Sequence, residues 1–278
     1  MNKLSIDRQA QIIKVLCEGN SIRSTARITD SSINTVVKLL REVGAACLEY
    51  QDKAMHNLTS KKLQCDEIWS FVYSKDKNVP EAHNGEFGYG DVWTFTAIDA
   101  DTKLVPSWLV GERNAFCAYE FISDLKDRLA NRVQITTDGH SMYLEAVEDA
   151  FGANIDYAML VKIYGTEPEG EKRYSPAKCL AAEKHIIQGK PDYESISTSY
   201  VERQNLTMRM SMRRFTRLTN AFSKKLDNHV LALALYFMHY NFVRPHKTLA
   251  NPYPKTPAMA ASLTNHIWTI EEIVKLVK

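Results

Sequence analysis

Apolar positions in this chain recur first at helical spacing, then at strand spacing, then alternate between the two. Over residues 5–44 the period is helical: Ile6, Ala10, Ile13, Leu16 and Cys17 fall on one face. Gly19-Asn20 is a stop signal, and Ser21 can cap a short second helix over Ile22 to Arg27. Thr29-Asp30 reads as a turn. Ser31 or Ser32 can cap a third helix, with Ile33, Val36, Val37, Leu39 and Leu40 on its buried side. Gly44 is expected to end that helix. The pattern predicts an all-α unit with a helix-turn-helix over residues 1–50. In such a motif the start of the last helix meets base edges. Ser31, Ser32, Asn34, Thr35 and Lys38 would then face the groove. A small bundle used for packing or dimerisation is the alternative.

Residues 51–62 read as a linker that closes on Ser60-Lys61-Lys62. From Leu63 the period falls to two. Leu63 to Val72, Asp91 to Asp99 and Leu104 to Val110 read as three strands of an antiparallel meander. A helix over Ala115 to Ala130, a strand over Val133 to Thr137, a helix over Ser141 to Phe151 and a strand near Tyr157 to Ile163 follow. Residues 165–199 form a polar insertion with Pro and Gly. A basic helix, an apolar helix over Val230 to Phe242 and a turn-rich tail over 251–278 complete the chain. This order predicts an α/β layer with a mixed sheet over 63–250. Trp69 and Trp93 are expected in its core.

Composition removes several function classes. The chain has 278 residues and is 45% hydrophobic, ordinary for a globular protein. Its five cysteines (17, 47, 65, 117 and 179) form no Cys-x-x-Cys pair. Neither a zinc ribbon nor a disulfide framework is indicated. No apolar run approaches the roughly 18 residues of a membrane span, so no membrane partner is expected. The start of the chain lacks a signal-peptide pattern, and the expected setting is reducing and cytoplasmic. Net charge is only +2, so any polyanion site must come from local clustering.

Such clustering lies in Ser199 to Lys225. Glu202 opens it, and no acid follows until Asp227. Between them stand Arg203, Arg209, Arg213, Arg214, Arg217, Lys224 and Lys225. On a helix, Glu202, Asn205 and Arg209 would share one face, and Arg213 and Arg217 would continue it. Arginine suits bidentate contact with phosphate. A carboxylate beside such arginines is useful when a divalent cation sits between it and the phosphate. A solvated basic face is the alternative. Two further acids stand out. Asp66 lies inside a strand among apolar residues, where an acid is costly unless paired or metal-bound. Asp138 falls at the carboxyl end of a strand, where ligands gather in open α/β sheets.

Five stretches carry a family resemblance. In order they are Asp66-Glu-Ile-Trp-Ser-Phe-Val72, Val110-Gly-Glu-Arg113, Thr137-Asp138-Gly-His-Ser-Met-Tyr143, Val201-Glu202-Arg-Gln-Asn205 and Phe222-Ser-Lys-Lys-Leu-Asp-Asn-His229. Over about residues 63–240 the chain resembles the transposases of the "insertion sequence one" family. These are mobile-element enzymes of the Asp-Asp-Glu type with an RNase H-like core. The resemblance implies that Asp66, Asp138 and Glu202 form a catalytic, metal-binding triad for Mg²⁺ or Mn²⁺, and that Arg209 is the basic residue such enzymes carry after the glutamate. Glu67, His140 and Asn205 would support the triad. The partner would be double-stranded DNA, both element ends and target, bound by a homo-oligomer at the nucleoid. Three features depart from compact members: the long gap from Asp138 to Glu202, an N-terminal unit without zinc-module cysteines, and the tail Tyr240-Asn-Phe-Val-Arg-Pro-His-Lys-Thr-Leu249, which is similar to the ending of other transposase and integrase families. The expected function is metal-dependent DNA strand cleavage and transfer. A catalytically inactive DNA-binding regulator, or an RNase H-like nuclease without strand transfer, are the alternatives.

Overall fold

A computed structural model describes residues 4–165, 179–216 and 220–277. Most of the expected insertion and Arg217 therefore lie outside the described residues. Helices α1 (Ile6–Cys17), α2 (Ile22–Ile28) and α3 (Ile33–Ala54) are each capped by the serine before them. Ser5, Ser21 and Ser32 accept the N–H groups of Arg8, Ser24 and Thr35. Each satisfies a donor that a helix start would otherwise leave open. Asp30 takes a left-handed backbone (φ 43°) in the turn before α3.

Gly44 does not end α3, which runs on to Ala54. The glycine serves close packing instead. A Cβ there would lie 2.9 Å from Leu231 Cβ and collide with the Leu231 carbonyl. Leu231 belongs to α7 (Leu226–Met238), the apolar helix laid along α3. Gln51 on α3 donates to the Ala234 carbonyl of α7 at 2.9 Å. The expected boundary at residue 50 thus falls inside a helix. Ile12, Ile13, Val36, Leu40 and Val43 share one core with Leu233, Phe237, Phe242, Ile273 and Val274.

Among the described residues six strands form one sheet, in the order β3-β2-β1-β4-β5-β6. They are β1 (Lys62–Val72), β2 (Gly90–Asp99), β3 (Trp108–Gly111), β4 (Gln134–Asp138), β5 (Asp156–Tyr164) and β6 (Cys179–Gln188). β1, β2 and β3 pair antiparallel as expected, β1–β4 and β4–β5 pair parallel, and β6 returns antiparallel to β5. The third strand starts later than expected. The amide and carbonyl of Val105 are taken by the side chain of Asn241, both at 3.0 Å. β6, inside the expected insertion, was not foreseen: nearly every residue on it is exposed, so no alternation marks it as a strand.

Helices α4 (Ala115–Asp127) and α5 (Met142–Phe151) cover one face of the sheet. They bury Cys65, Phe95, Ile135 and Tyr157 against Phe121, Leu125, Tyr143 and Val147. The other face takes Ile68 and Ile98 into the core shared with α6 (Ser199–Ser211) and α7. This mixed sheet with helices on both faces is consistent with the RNase H-like core implied by the resemblance.

Gly44→Ala tests the helix contact. Propensity alone would favour alanine by about 1 kcal/mol. Overpacking against Leu231 is expected to win, with a net loss of about 1–3 kcal/mol in urea unfolding. A stabilised variant would show that α3 and α7 can separate freely.

Candidate active site

The site is set by where β4 stops. β1 and β4 pair through Lys62↔Gln134, Leu63↔Ile135 and Gln64↔Thr136. Two residues further along each strand stand Asp66 and Asp138, and β4 ends there. β1 continues to Val72 without it. Successive strand residues point to opposite faces, so Asp66 turns toward α6 and Glu67 toward α5. Asp138, at a strand end, is within reach of both. One oxygen from each of Asp66, Glu67 and Asp138 lies within 4.8 Å of the others.

Each acid has its own fixings. Asp66 Oδ1 accepts the Glu67 amide and Oδ2 the Asn205 side-chain amide, both at 2.8 Å. Asp138 Oδ1 accepts the His140 amide at 3.0 Å. Glu67 is buried, and its oxygens meet Arg113 (2.5 Å to a terminal guanidinium nitrogen) and the Tyr143 hydroxyl (3.0 Å). Glu202 sits in the first turn of α6 and accepts from Thr198 Oγ1 and Lys162 Nζ of β5. The Asn205 Oδ1 atom, buried beside Asp66, has no hydrogen-bond partner among the described residues.

Gln64 is the residue that aims α6. The Thr198 side chain does not cap this helix. Gln64 Oε1, reaching across from β1, accepts the amides of Tyr200 (2.8 Å) and Val201 (3.2 Å) instead. The strand that carries Asp66 therefore also fixes the helix that carries Glu202 and Asn205. Sequence reading missed Gln64, Lys162 and Thr198. Only their neighbourhood to Asp66 and Glu202 could have flagged them, and that is a tertiary fact.

Crowding shows in the proton affinities. Burial, then the charge of Glu67, and further those of Asp138 and Glu202, push the Asp66 carboxyl up to about 7. The Glu67 amide bond opposes this. Glu67 is raised by burial and by Asp138, against the Arg113 and Tyr143 contacts. Glu202 is thus close enough for its charge to reach Asp66, although the tight trio is Asp66, Glu67 and Asp138.

The basic stretch differs from the single face expected of it. α6 ends at Ser211 because Met212 turns extended and buries its side chain. Glu202, Asn205 and Arg209 keep their shared helix, but Arg213 and Arg214 stand in a separate turn, Arg213–Phe215. Arg213, Arg203, Lys224 and Lys225 are exposed and Arg209 is half-buried. Arg214 turns inward: its Nε donates to Ser223 Oγ at 3.0 Å, and burial pulls its guanidinium down to about 10. It lies against His229, which burial and the Arg214 charge pull down to about 3. At the start of α3, Ser31 bonds the Thr29 carbonyl and Ser32 and Thr35 bond each other, while Asn34 and Lys38 are exposed.

No protein-family model and no curated protein matches the chain. Among solved structures it is similar to the Mos1 mariner paired end complex with Mn, at 12% identity and a TM-score of 0.25. That likeness covers 56% of this chain and 60% of the Mos1 chain, so the match spans less than two thirds of that protein. A second likeness is to the piggyBac transposase synaptic complex with hairpin DNA, at 9% identity and a TM-score of 0.42. It covers 99% of this chain and 70% of that one. Likenesses at this level leave function to the chemistry of the site.

The raised carboxyl gives a pH test. The folded chain holds the Asp66 proton up to about 7, and the unfolded chain releases it near 4. Metal-free stability should therefore fall as pH rises between those values. Asp66→Asn is expected to stabilise the metal-free protein at pH 8 by on the order of 1–4 kcal/mol and to give little at pH 4. Equal effects in urea melts at the two pH values would refute the crowding.

Proposed function

We propose that this protein is a DNA transposase of the insertion-sequence kind, cutting and joining DNA at element ends with divalent metal. The observation that carries the reading is the meeting of Asp66, Glu67 and Asp138 within 4.8 Å, with Glu202 near enough to raise Asp66 further. The donors are hard oxygens, the kind that Mg²⁺ or Mn²⁺ takes. Their mutual repulsion is what a bound cation would relieve. Asp66, Asp138 and Glu202 would hold the metal. When bound, the metal would supply Lewis acidity and a more acidic attacking water or 3′-hydroxyl.

The chain's own residues do the rest in this reading. Arg113 and Tyr143 fix Glu67 behind Asp66, the Asn205 amide orients Asp66, and the His140 amide orients Asp138. Lys162 neutralises Glu202 in the metal-free chain. Arg203, Arg209 and Arg213, with Lys224 and Lys225, supply phosphate contacts. Helices α2 and α3 act as the helix-turn-helix that reads element ends, with Asn34 and Lys38 leading. Assembly is a homo-oligomer on DNA at the nucleoid. No described helix is long and apolar enough to cross a membrane.

Cleavage of labelled DNA taken from the sequence that flanks the gene tests the reading with Mg²⁺ or Mn²⁺ present. Glu202→Gln keeps shape but removes charge. It should cut cleavage and transfer by at least about a hundredfold, since even outer-shell partners of metals cost 10–100-fold. DNA binding should persist, because it rests on the arginines. Full cleavage by the variant would take Glu202 out of the site.

Arg213→Ala should weaken binding to any DNA sequence and reduce the log–log salt slope by roughly 0.9. Arg214→Ala should leave that slope unchanged and lower stability, because its guanidinium is turned inward. A slope change for Arg214 alone would reverse these assignments.

A further inference from the structure

The face of β1 that carries Glu67 also carries Trp69 and Phe71, in the alternating positions after it. Both rings are half-buried, so Trp69 stands outside the core expected for it. On this face α4 and α5 bury Phe95 fully, and the half-buried Trp93 packs against the same core. Trp93, two residues before Phe95 on β2, lies opposite Trp69. Phe222, entering from the segment before α7, stands 5.2 Å from Phe71, which stands 5.8 Å from Trp69. The result is a row of rings running from the acid cluster toward the carboxyl end of β1, where Val72 pairs with Ser223.

Cations attend the row. The Arg113 guanidinium that pairs with Glu67 lies 4.7 Å from the centre of the Trp93 ring. Lys75 Nζ lies 5.7 Å from the Trp69 ring centre and 5.9 Å from that of Phe71. The acids at the far rim, Asp76 and Asp91, are each engaged by the other's backbone amide. Aromatic faces interleaved with cations are how proteins hold unpaired nucleotides: bases stack on rings and cations meet the backbone. Paired bases in a duplex offer no free face.

We infer that Trp69, Phe71 and Phe222, with Lys75, form a stacking platform for unpaired nucleotides of the DNA strand beside the cleavage site. Trp69 is two residues along the strand from Glu67, roughly 7 Å, the rise of about two nucleotides. A strand whose phosphate lies at Asp138, which reaches both faces of the sheet, would lay its next bases on the rings, and Lys75 would turn to its phosphates. The inference rests on the proposal that the acid cluster works on DNA. It adds that the enzyme prefers ends with melted or single-stranded flanks.

The full chain is tested on a blunt duplex and on the same duplex with an unpaired oligo-dT flank, by fluorescence anisotropy. The wild type should bind the flanked DNA about tenfold more tightly. Trp69→Ala and Phe71→Ala should abolish that preference and leave blunt-duplex affinity unchanged, while Trp69→Phe should keep most of it. A wild type that binds both DNAs equally overturns the platform whether or not the variants fold, and leaves the transposase reading standing. Equal losses on both DNAs in the alanine variants overturn it too, because the rings would then be structural. A wild type that binds neither DNA overturns both.

Discussion

Parallel pairing between β1 and β4 lasts only from Lys62 to Gln64, and the acid cluster hangs on its end. Where the ladder stops, two strands present carboxylates side by side, and a third arrives from the opposite face. Holding oxygens within 4.8 Å while burying them is costly in two ways, by repulsion and by desolvation. The fold meets that cost by protonation, by counter-charges and by hydrogen bonds. The Asp66 carboxyl is pushed up to about 7 and accepts two amides, while Glu67 meets Arg113 and Tyr143.

The counter-charges lie on both sides of the sheet. Arg113 and Tyr143 hold Glu67 on the face of α4 and α5. Lys162 holds Glu202 on the face of α6. Glu67 is nearly sealed from solvent, its side chain 1% exposed, while Arg113 keeps 35%. Removing a partner from a pair so buried leaves an uncompensated charge, which costs more than the pair contributes. Glu67 is therefore committed to Arg113, which leaves Asp66 and Asp138 as the members of the trio without a cationic partner of that kind.

Packing joins the N-terminal helices to this site. α3 lies on α7 through Gly44, and Tyr236 of α7 accepts from Gln204 on α6 at 3.1 Å. α6 in turn is held by Gln64 on β1. The chain of contacts runs from the exposed start of α3 to Asp66 without leaving packed or hydrogen-bonded structure.

Local signals in the sequence were enough for most elements. Helical spacing marked α1, serine caps marked α2 and α3, apolar and aromatic content marked β1, and period-two alternation marked β2, because capping and burial on one face are local choices. The acids at 66, 138 and 202 stood out for the same reason: an acid in an apolar strand, at a strand end and at a helix start. What the residues could not show alone was partnership. Gly44 looked like a helix stop until Leu231 was beside it, and Leu104-Val105 looked like strand until Asn241 took its hydrogen bonds. Arg214 belonged to a basic run until burial turned it toward Ser223 and His229. Nothing in residues 179–188 announced β6, since a strand exposed nearly throughout leaves no periodic trace. Residue type and spacing determined which groups the chain carries and most of its local conformation. Which groups face each other, and so which carboxylates crowd and which cations answer them, was decided by contacts between residues far apart in the chain.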